Sequence, residues 1–376
     1  MSKKVIVLGG GMVGSTVAVE LTKQHDVTVV DLSDSALSKL RRCFGINCVK
    51  IDVLDRKKLE QLLSPFDLVI GAIPGEVGYE TIKKVIDCGK DMVDISFLPE
   101  DPFELDERAK RKKVTIAVDC GIAPGITNMI LGYHHQIMKV EKFECVVGGL
   151  PFERDWPWEY KAGFSPKDVL QEYIRPARYI ENGVQVTKEA MSDPELMHFE
   201  GIGTLEAWNS DGLRTLLKTT DVPNMVEKTL RYPGTIEYLK VLMKSGFFSQ
   251  KPIEVEGVKV RPIDVTAKLL LPIWELKKGD EDFTIMRAKI QGYEEGEFAI
   301  YEYNMFDKYD QKSGIHSMSR STGFSCTAVA ELILDGSIKK HGIIAPEAIA
   351  DQEGLFSRIV NYLEDRGVEI KIERKI

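Results

Sequence analysis

The sequence has 376 residues, 43% hydrophobic and 29% charged, which is long for one ordinary domain and comfortable for two, each with its own core. Its 58 acidic and 50 basic side chains give a formal net charge of -8, against the basic surplus of a dedicated nucleic-acid binder. No apolar stretch approaches the roughly 20 residues that cross a bilayer, and the six cysteines show neither a C-x-x-C pair nor a zinc spacing, as expected of reduced thiols in a cytoplasmic protein.

Taken in order, Lys4 leads straight into Val5-Ile6-Val7-Leu8. This apolar run is too short for a secretory or transit segment. Short β-branched runs at 4–8, 27–30, 48–51, 68–73, 92–95 and 114–118 alternate with amphipathic stretches at 14–24, 34–42 and 78–88. In the last of these, Tyr79, Ile82, Val85 and Ile86 share one helical face. The alternation predicts an α/β fold: an N-terminal Rossmann domain, a doubly wound parallel sheet, over residues 1–123. From about residue 125 the rhythm changes. A strand at 145–150 runs into an aromatic, proline-containing stretch at 151–160, and the runs at 283–289 and 297–303 alternate as antiparallel strands with one wet face do. This predicts a second, α+β domain with a mostly antiparallel sheet over 124–317, followed by a partly helical segment, 318–376.

Gly9-Gly10-Gly11-Met12-Val13-Gly14 is a G-x-G-x-x-G motif between the first strand and the first helix, the context in which it binds a dinucleotide. Gly9 permits the tight turn, Gly11 admits the pyrophosphate, and Gly14 lets helix and strand pack closely. The backbone of Met12 and Val13 then offers the N–H groups of the first turn to the phosphates. Asp31 ends the second strand at the spacing of the carboxylate that accepts bonds from the adenosine ribose. It would repel a 2′-phosphate, and Leu32-Ser33 supplies no arginine to hold one, so NAD is the expected cofactor.

Ligands of open α/β sheets sit at the carboxyl ends of the strands. Those ends carry Asp52 and Val53 as adenine neighbours, Ala72-Ile73-Pro74 beside the ribose, and Asp94, Ser96, Asp119 and Cys120 toward the nicotinamide. Pro124 follows in the same segment. Turn or capping roles compete for Asp94 and Asp119, and a small buried hydrophobe competes for Cys120.

With the segments 119–125 (Asp-Cys-Gly-Ile-Ala-Pro-Gly) and 229–234 (Thr-Leu-Arg-Tyr-Pro-Gly) in view, the chain resembles the saccharopine dehydrogenase/reductase-like oxidoreductases. Within that family it is most similar to the L-lysine 6-dehydrogenase branch. Segments 148–151, 175–178, 210–214 and 318–324 extend the resemblance over nearly the whole chain. The resemblance implies a Rossmann domain, an inserted catalytic α+β domain, and a C-terminal segment returning to the first domain. It also implies a homodimer or higher homo-oligomer in which the large sheet takes part. For the lysine branch it implies NAD-dependent oxidative deamination at the ε-carbon. The alternatives are a saccharopine or carboxynorspermidine-type opine dehydrogenase and, from another class, a non-catalytic NAD-binding regulator.

Deaminating an amine requires a neutral nitrogen, hence a general base. Asp94 and Asp119 are the candidates by position, with His316 a further one; the remaining histidines have no metal spacing, and no metal is expected. The α-carboxylate of an amino-acid substrate calls for an arginine fork, with Arg178, Arg231 and Arg320 as candidates. Glu206 or Asp211 would meet the α-ammonium. Tyr160, Trp156 and Phe164 would wall the aliphatic stem, and Lys161 would share a proton with the amine. The partner is thus a small amino acid, with neither nucleic acid nor membrane expected.

Overall fold

The computed structural model describes residues 2–277 and 279–375, and it divides into two compact units. The first comprises 1–137 and 318–369, the second 138–317 and 370–376. The boundary expected at 123 therefore lies after a helix that continues the first unit. The end of the C-terminal segment, Ile370–Lys375, is a strand of the second unit's sheet rather than part of the first unit.

In the first unit, strands β1 (Lys4–Leu8), β2 (Asp26–Asp31), β3 (Asn47–Lys50), β4 (Leu68–Gly71), β5 (Asp91–Asp94) and β6 (Thr115–Ala117) are all parallel. They lie in the order β6-β5-β4-β1-β2-β3, the doubly wound order expected. A seventh, Gly342–Ile344, adds parallel to β6 from far along the chain; at three residues it left no periodic signal. The central strands are apolar at nearly every position, with Val5–Leu8 and Leu68–Ile70 fully buried, as a sheet covered on both faces requires. Helices α1 (Met12–Leu21), α2 (Asp34–Phe44), α3 (Arg56–Leu63), α4 (Gly75–Asp87) and α5 (Asp106–Lys112) make the crossovers, and α6 (Ile126–Ile137) follows β6. The buried positions of α4, Ile82, Val85 and Ile86, join one core cluster with Ile6, Leu8, Val69 and Ile116.

The second unit is built on a large mixed sheet. Its main path runs Ser192–Phe199, Gly203–Asn209, Met225–Arg231, Lys139–Pro151, Asp282–Glu294, Glu297–Lys308, Ile370–Lys375. Neighbours on this path are antiparallel except Met225–Arg231 on Lys139–Pro151. An aromatic cluster of Tyr160, Tyr173, Trp208 and Trp274, all buried, forms one core of this unit. The hairpin Ile253–Val255/Val258–Val260 forms a separate two-stranded sheet. No helix among the described residues is long and apolar enough to cross a membrane.

Candidate functional site

The glycine motif has the geometry its residue types predict. Gly9 sits at φ +107°, and a Cβ there would lie 2.1 Å from the Ala72 carbonyl oxygen; a Cβ on Gly14 would lie 2.1 Å from the Gly9 carbonyl oxygen. Gly11, the residue before α1, has nothing within 4 Å of its Cβ position. Two glycines are thus required by close packing, while the middle one leaves an open approach. The N terminus of α1 has no side-chain cap and no acid in its first turn, whereas α2 is capped by Ser33 and α3 by Asp55. Its first-turn N–H groups, including those of Met12 and Val13, therefore retain the capacity to meet an anion. These residues fit the pyrophosphate of a dinucleotide.

The strand ends form one row. The Gly9 N–H donates to the Val30 carbonyl (2.8 Å), Ala72 to Leu8 (2.8 Å), Ile95 to Gly71 (3.0 Å) and Cys120 to Asp94 (3.0 Å). Glycine motif, Ala72-Ile73-Pro74, Asp94–Ser96 and Asp119-Cys120 thereby lie along the carboxyl edge in sheet order. Asp31 closes the row beside the glycines. Its Oδ2 accepts from the Gly10 N–H at 2.6 Å and its Oδ1 from the Ser33 N–H at 2.7 Å. Lys50, its register partner on β3, pairs with Asp34. Asp52 lies beyond the end of β3, where its carboxylate accepts from Leu54, and Val53 packs on the core. Pro124 sits in a tight loop in which Ile126 bonds back to Gly121 (3.1 Å).

Asp94, expected as a proton acceptor, is engaged by Ser96. It is fully buried, and its two carboxylate oxygens accept from the Ser96 Oγ (2.9 Å) and the Ser96 N–H (3.0 Å). A Cβ on Gly71 would lie 2.0 Å from Asp94 Oδ1, so a glycine makes room for this carboxylate. Asp94 holds the β5 loop in place and orients Ser96. Asp119 is 3% exposed at φ +53°, a left-handed backbone that non-glycine residues seldom adopt outside turns and functional sites. Cys120 is fully buried, its thiol donates to the Val118 carbonyl (3.3 Å), and burial pushes its pKa well up. It is a protonated core residue rather than a reactive thiol.

The three arginines expected to hold a substrate carboxylate lie in distinct settings. Arg231 is 2% exposed, stacked over the Tyr160 ring (4.3 Å). It donates to the Tyr173 hydroxyl (3.2 Å), Glu172 (2.9 Å) and the Leu230 carbonyl (2.9 Å). Both it and Tyr160 are thus buried against the aromatic core. Arg320, in the first unit, donates to the Arg366 carbonyl (2.9 Å) just past the helix Leu355–Glu364, where a cation satisfies terminal carbonyls. Arg178 is partly exposed and grips Asp211 with two bonds of 2.7 and 2.8 Å. Around the same Asp211, burial and the charges of Arg214 and Arg178 lower the Arg175 pKa to about 10. Three guanidinium groups therefore share one neighbourhood with Asp211 and Asp168.

The other expected residues are engaged locally. His316 bonds the Asp280 carbonyl (3.2 Å), Lys161 the Ile273 carbonyl (3.0 Å), and Glu206 accepts from the Gly234 N–H (3.1 Å). Phe164 packs on the aromatic cluster, and Trp156 is 78% exposed. Sequence reasoning missed Arg175, Arg214 and Glu227. Glu227 is buried, accepts from Ser210 Oγ (2.6 Å) and the Gly212 N–H (3.0 Å), and burial raises its pKa to about 7. A Cβ on Gly212 would lie 2.3 Å from its carboxyl carbon, so Ser210-Asp211-Gly212 was the available signal. Among the described residues no group of three or more His, Cys, Asp or Glu could hold a metal ion.

Comparison with known proteins gives matches over most of the chain. Residues 5–117 match the saccharopine dehydrogenase NADP binding domain and residues 121–368 the saccharopine dehydrogenase C-terminal domain. Saccharopine dehydrogenase [NADP(+), L-glutamate-forming] of Saccharomyces cerevisiae is 23% identical, with 92% of this chain and 94% of that one covered. The mitochondrial alpha-aminoadipic semialdehyde synthase of Mus musculus is also 23% identical over 92% of this chain, which spans 45% of that longer protein. The apo saccharopine dehydrogenase (L-Glu forming) of Saccharomyces cerevisiae superposes with a TM-score of 0.80 at 21% identity, covering both chains fully; this likeness concerns the fold.

Proposed function

From the premise that the chain belongs to the saccharopine dehydrogenase family of oxidoreductases, we propose that it is an NAD-dependent L-lysine 6-dehydrogenase. It would convert lysine, NAD and water into 2-aminoadipate 6-semialdehyde, ammonia and NADH, the aldehyde then cyclising to a piperideine carboxylate. The observation that carries the substrate reading is the cation cluster of the second unit. Arg178 grips Asp211, and Arg175 beside it feels the charges of Arg214, Arg178, Asp211 and Asp168, with Glu172 in the same neighbourhood. A cluster that gathers several guanidinium groups suits the carboxylate of an amino acid, which a bidentate fork would hold. Asp211 in turn suits its α-ammonium. An opine substrate brings further carboxylates and calls for more cations.

NAD is favoured over NADP by Asp31, whose carboxylate stands where a 2′-phosphate would bring like charge, while Lys50 is engaged by Asp34. This proposal stands against the NADP named for the matching domain and the yeast enzyme. Bound at the carboxyl edge, NAD would accept a hydride from the substrate's ε-carbon. Asp119 is the residue we assign to take the proton from the ε-ammonium, because it is a buried carboxylate turned off the strand by a left-handed backbone. Asp94 and Ser96 position that edge. Localisation in the cytoplasm and assembly as a homo-oligomer belong to the same proposal.

Initial rates test it directly. NADH absorbance should rise with NAD and L-lysine alone, with ammonia released in equal amount. Reduction of NAD or NADP that requires saccharopine, or another opine, would replace lysine by the runner-up substrate class. Asp119→Asn should cut turnover by about two to four orders of magnitude while leaving NADH binding in place; turnover like that of the unaltered enzyme would remove Asp119 from the mechanism.

A further inference from the structure

From Met318 on, the helix Ser317–Leu334 belongs to the first unit. Ser319, Thr322, Gly323 and Cys326, spaced i, i+3, i+4, i+7, share one of its faces. Gly323 packs on α1: a Cβ there would lie 3.2 Å from Thr16 Cγ2 and 3.5 Å from Val17 Cγ2. Thr322 packs on the loop after β6, its Cγ2 3.3 Å from the Cβ position of Gly121. Cys326 is fully buried, and burial first, then the charge of Asp94, raises its pKa. One helix face thus meets α1 and the carboxyl ends of β5 and β6. The helix and α1 run in the same direction, because further along both, Glu331 Oε1 lies 3.1 Å from Nε2 of His25, past the end of α1. One turn back along each from the Gly323–Thr16 contact, about 6 Å, Ser319 comes level with Met12, in the turn of α1 suited to the pyrophosphate.

Ser319 is 2% exposed, and its Oγ has no hydrogen-bond partner among the described residues. Other hydroxyls of the same helix bond back to its carbonyls: Ser325 Oγ donates to Ser321 (2.7 Å) and Thr327 Oγ1 to Phe324 (3.1 Å). A buried hydroxyl left without a partner is costly, and this one stands beside the nucleotide edge. Given a dinucleotide there, as proposed above, we infer that the Ser319 hydroxyl hydrogen-bonds the nicotinamide half of the cofactor. With the pyrophosphate at the glycine motif on β1, the half bearing the ring extends along the row toward Asp94 and Asp119. Ser319 stands on that side of the glycines, between α1 and the Gly121 loop. A hydroxyl both donates and accepts, so it can meet a carboxamide or a ribose hydroxyl. A residue remote in sequence from the glycine motif thereby completes the cofactor site.

Binding to the full chain tests the assignment. Cofactor fluorescence gives the affinity for NADH (or NADPH, should it bind more tightly), and competition against it gives those for ADP-ribose and AMP. Ser319→Ala should weaken NADH about three- to tenfold, the worth of one hydrogen bond, and leave AMP unchanged. If ADP-ribose is also unchanged, the contact is to the carboxamide; if it weakens with NADH, the contact is to the ribose; either result supports the inference. The melting temperature without nucleotide should hold or rise, since no bond within the protein is lost. Ser325→Ala, which removes a bond inside the same helix, should leave NADH affinity unchanged. An NADH affinity unaltered by Ser319→Ala, an equal loss for AMP, an equal loss in Ser325→Ala, or a lowered melting temperature in Ser319→Ala overturns the inference and leaves the dinucleotide site standing. An unaltered protein that binds neither NADH nor NADPH overturns the dinucleotide reading itself, and this contact with it.

Discussion

Replacing Asp31 by asparagine probes the coupling between the sheet edge and the cofactor. In the structure one carboxylate oxygen accepts from Gly10 at 2.6 Å and the other from Ser33 at 2.7 Å. An amide of the same size keeps a single acceptor oxygen, so one of these N–H groups would face an NH₂. That leaves a partly buried donor unsatisfied, at about 1–3 kcal/mol, and loosens the turn that presents Gly11. In the proposed NAD complex, bonds from the adenosine ribose hydroxyls would be lost as charge-assisted bonds, worth about 1.5–3 kcal/mol. At 1.4 kcal/mol per tenfold, the NADH dissociation constant should rise roughly ten- to 150-fold. The NADPH dissociation constant should fall or hold, because the like charge opposite its 2′-phosphate is gone. Titration of intrinsic cofactor fluorescence with both nucleotides measures the two constants, and a thermal melt separates turn loosening from lost contacts. An NADH affinity that does not change, or an unaltered protein that binds NADPH more tightly than NADH, refutes the reasoning.

Further expectations concern the glycines, the buried acid and the arginine cluster. Gly14→Ala places a methyl 2.1 Å from a carbonyl oxygen and should cost about 1–3 kcal/mol in stability by overpacking; Gly11→Ala meets nothing within 4 Å and should leave the melt unchanged while weakening dinucleotide binding. Equal effects on the melt from the two substitutions would contradict the different roles assigned to them. Glu227 titrates from an ordinary 4.5 to about 7 in the folded chain, so the folded state holds the extra proton in that interval. Its contribution is full below 4.5 and is lost as pH rises to about 7, a fall on the order of 3 kcal/mol. Glu227→Gln should flatten the decline of the melting temperature across this range, although raised Glu172 and Glu206 keep part of it; an unaltered slope would show that Glu227 ionises freely. Arg178→Lys replaces a two-bond fork on Asp211 by a point charge and should raise KM for lysine about tenfold or more with a smaller change in kcat. A KM that stays put would exclude Arg178 from carboxylate recognition.

The first unit was legible because each signal in it is local. Gly9, Gly11 and Gly14 are marked by their spacing within six consecutive residues, although the close contact that requires Gly9 comes from Ala72, and the strand ends follow from short apolar runs that each stop at a small or acidic residue. The strand Gly342–Ile344 escaped because its neighbour β6 is remote in sequence and three residues carry no period. For side chains the limit is physical: sequence position tells which strand end a residue occupies, but not which donor captures it. Asp94 lies on the edge as expected, yet Ser96, two residues away, engages both its oxygens. Arg231 shares a distinctive motif with a turn glycine, yet its side chain is buried under Tyr160. An arginine marked by a motif is as well explained by a buried ion pair as by a ligand, and its exposure and the charges around it separate the two. Arg178 differs from Arg231 in its setting: it is partly exposed on Asp211, and beside it burial first, then the charges of Arg214 and Arg178, lower Arg175 to about 10. A substrate carboxylate added to that neighbourhood would offset the repulsion further, which is why the substrate reading rests on this cluster.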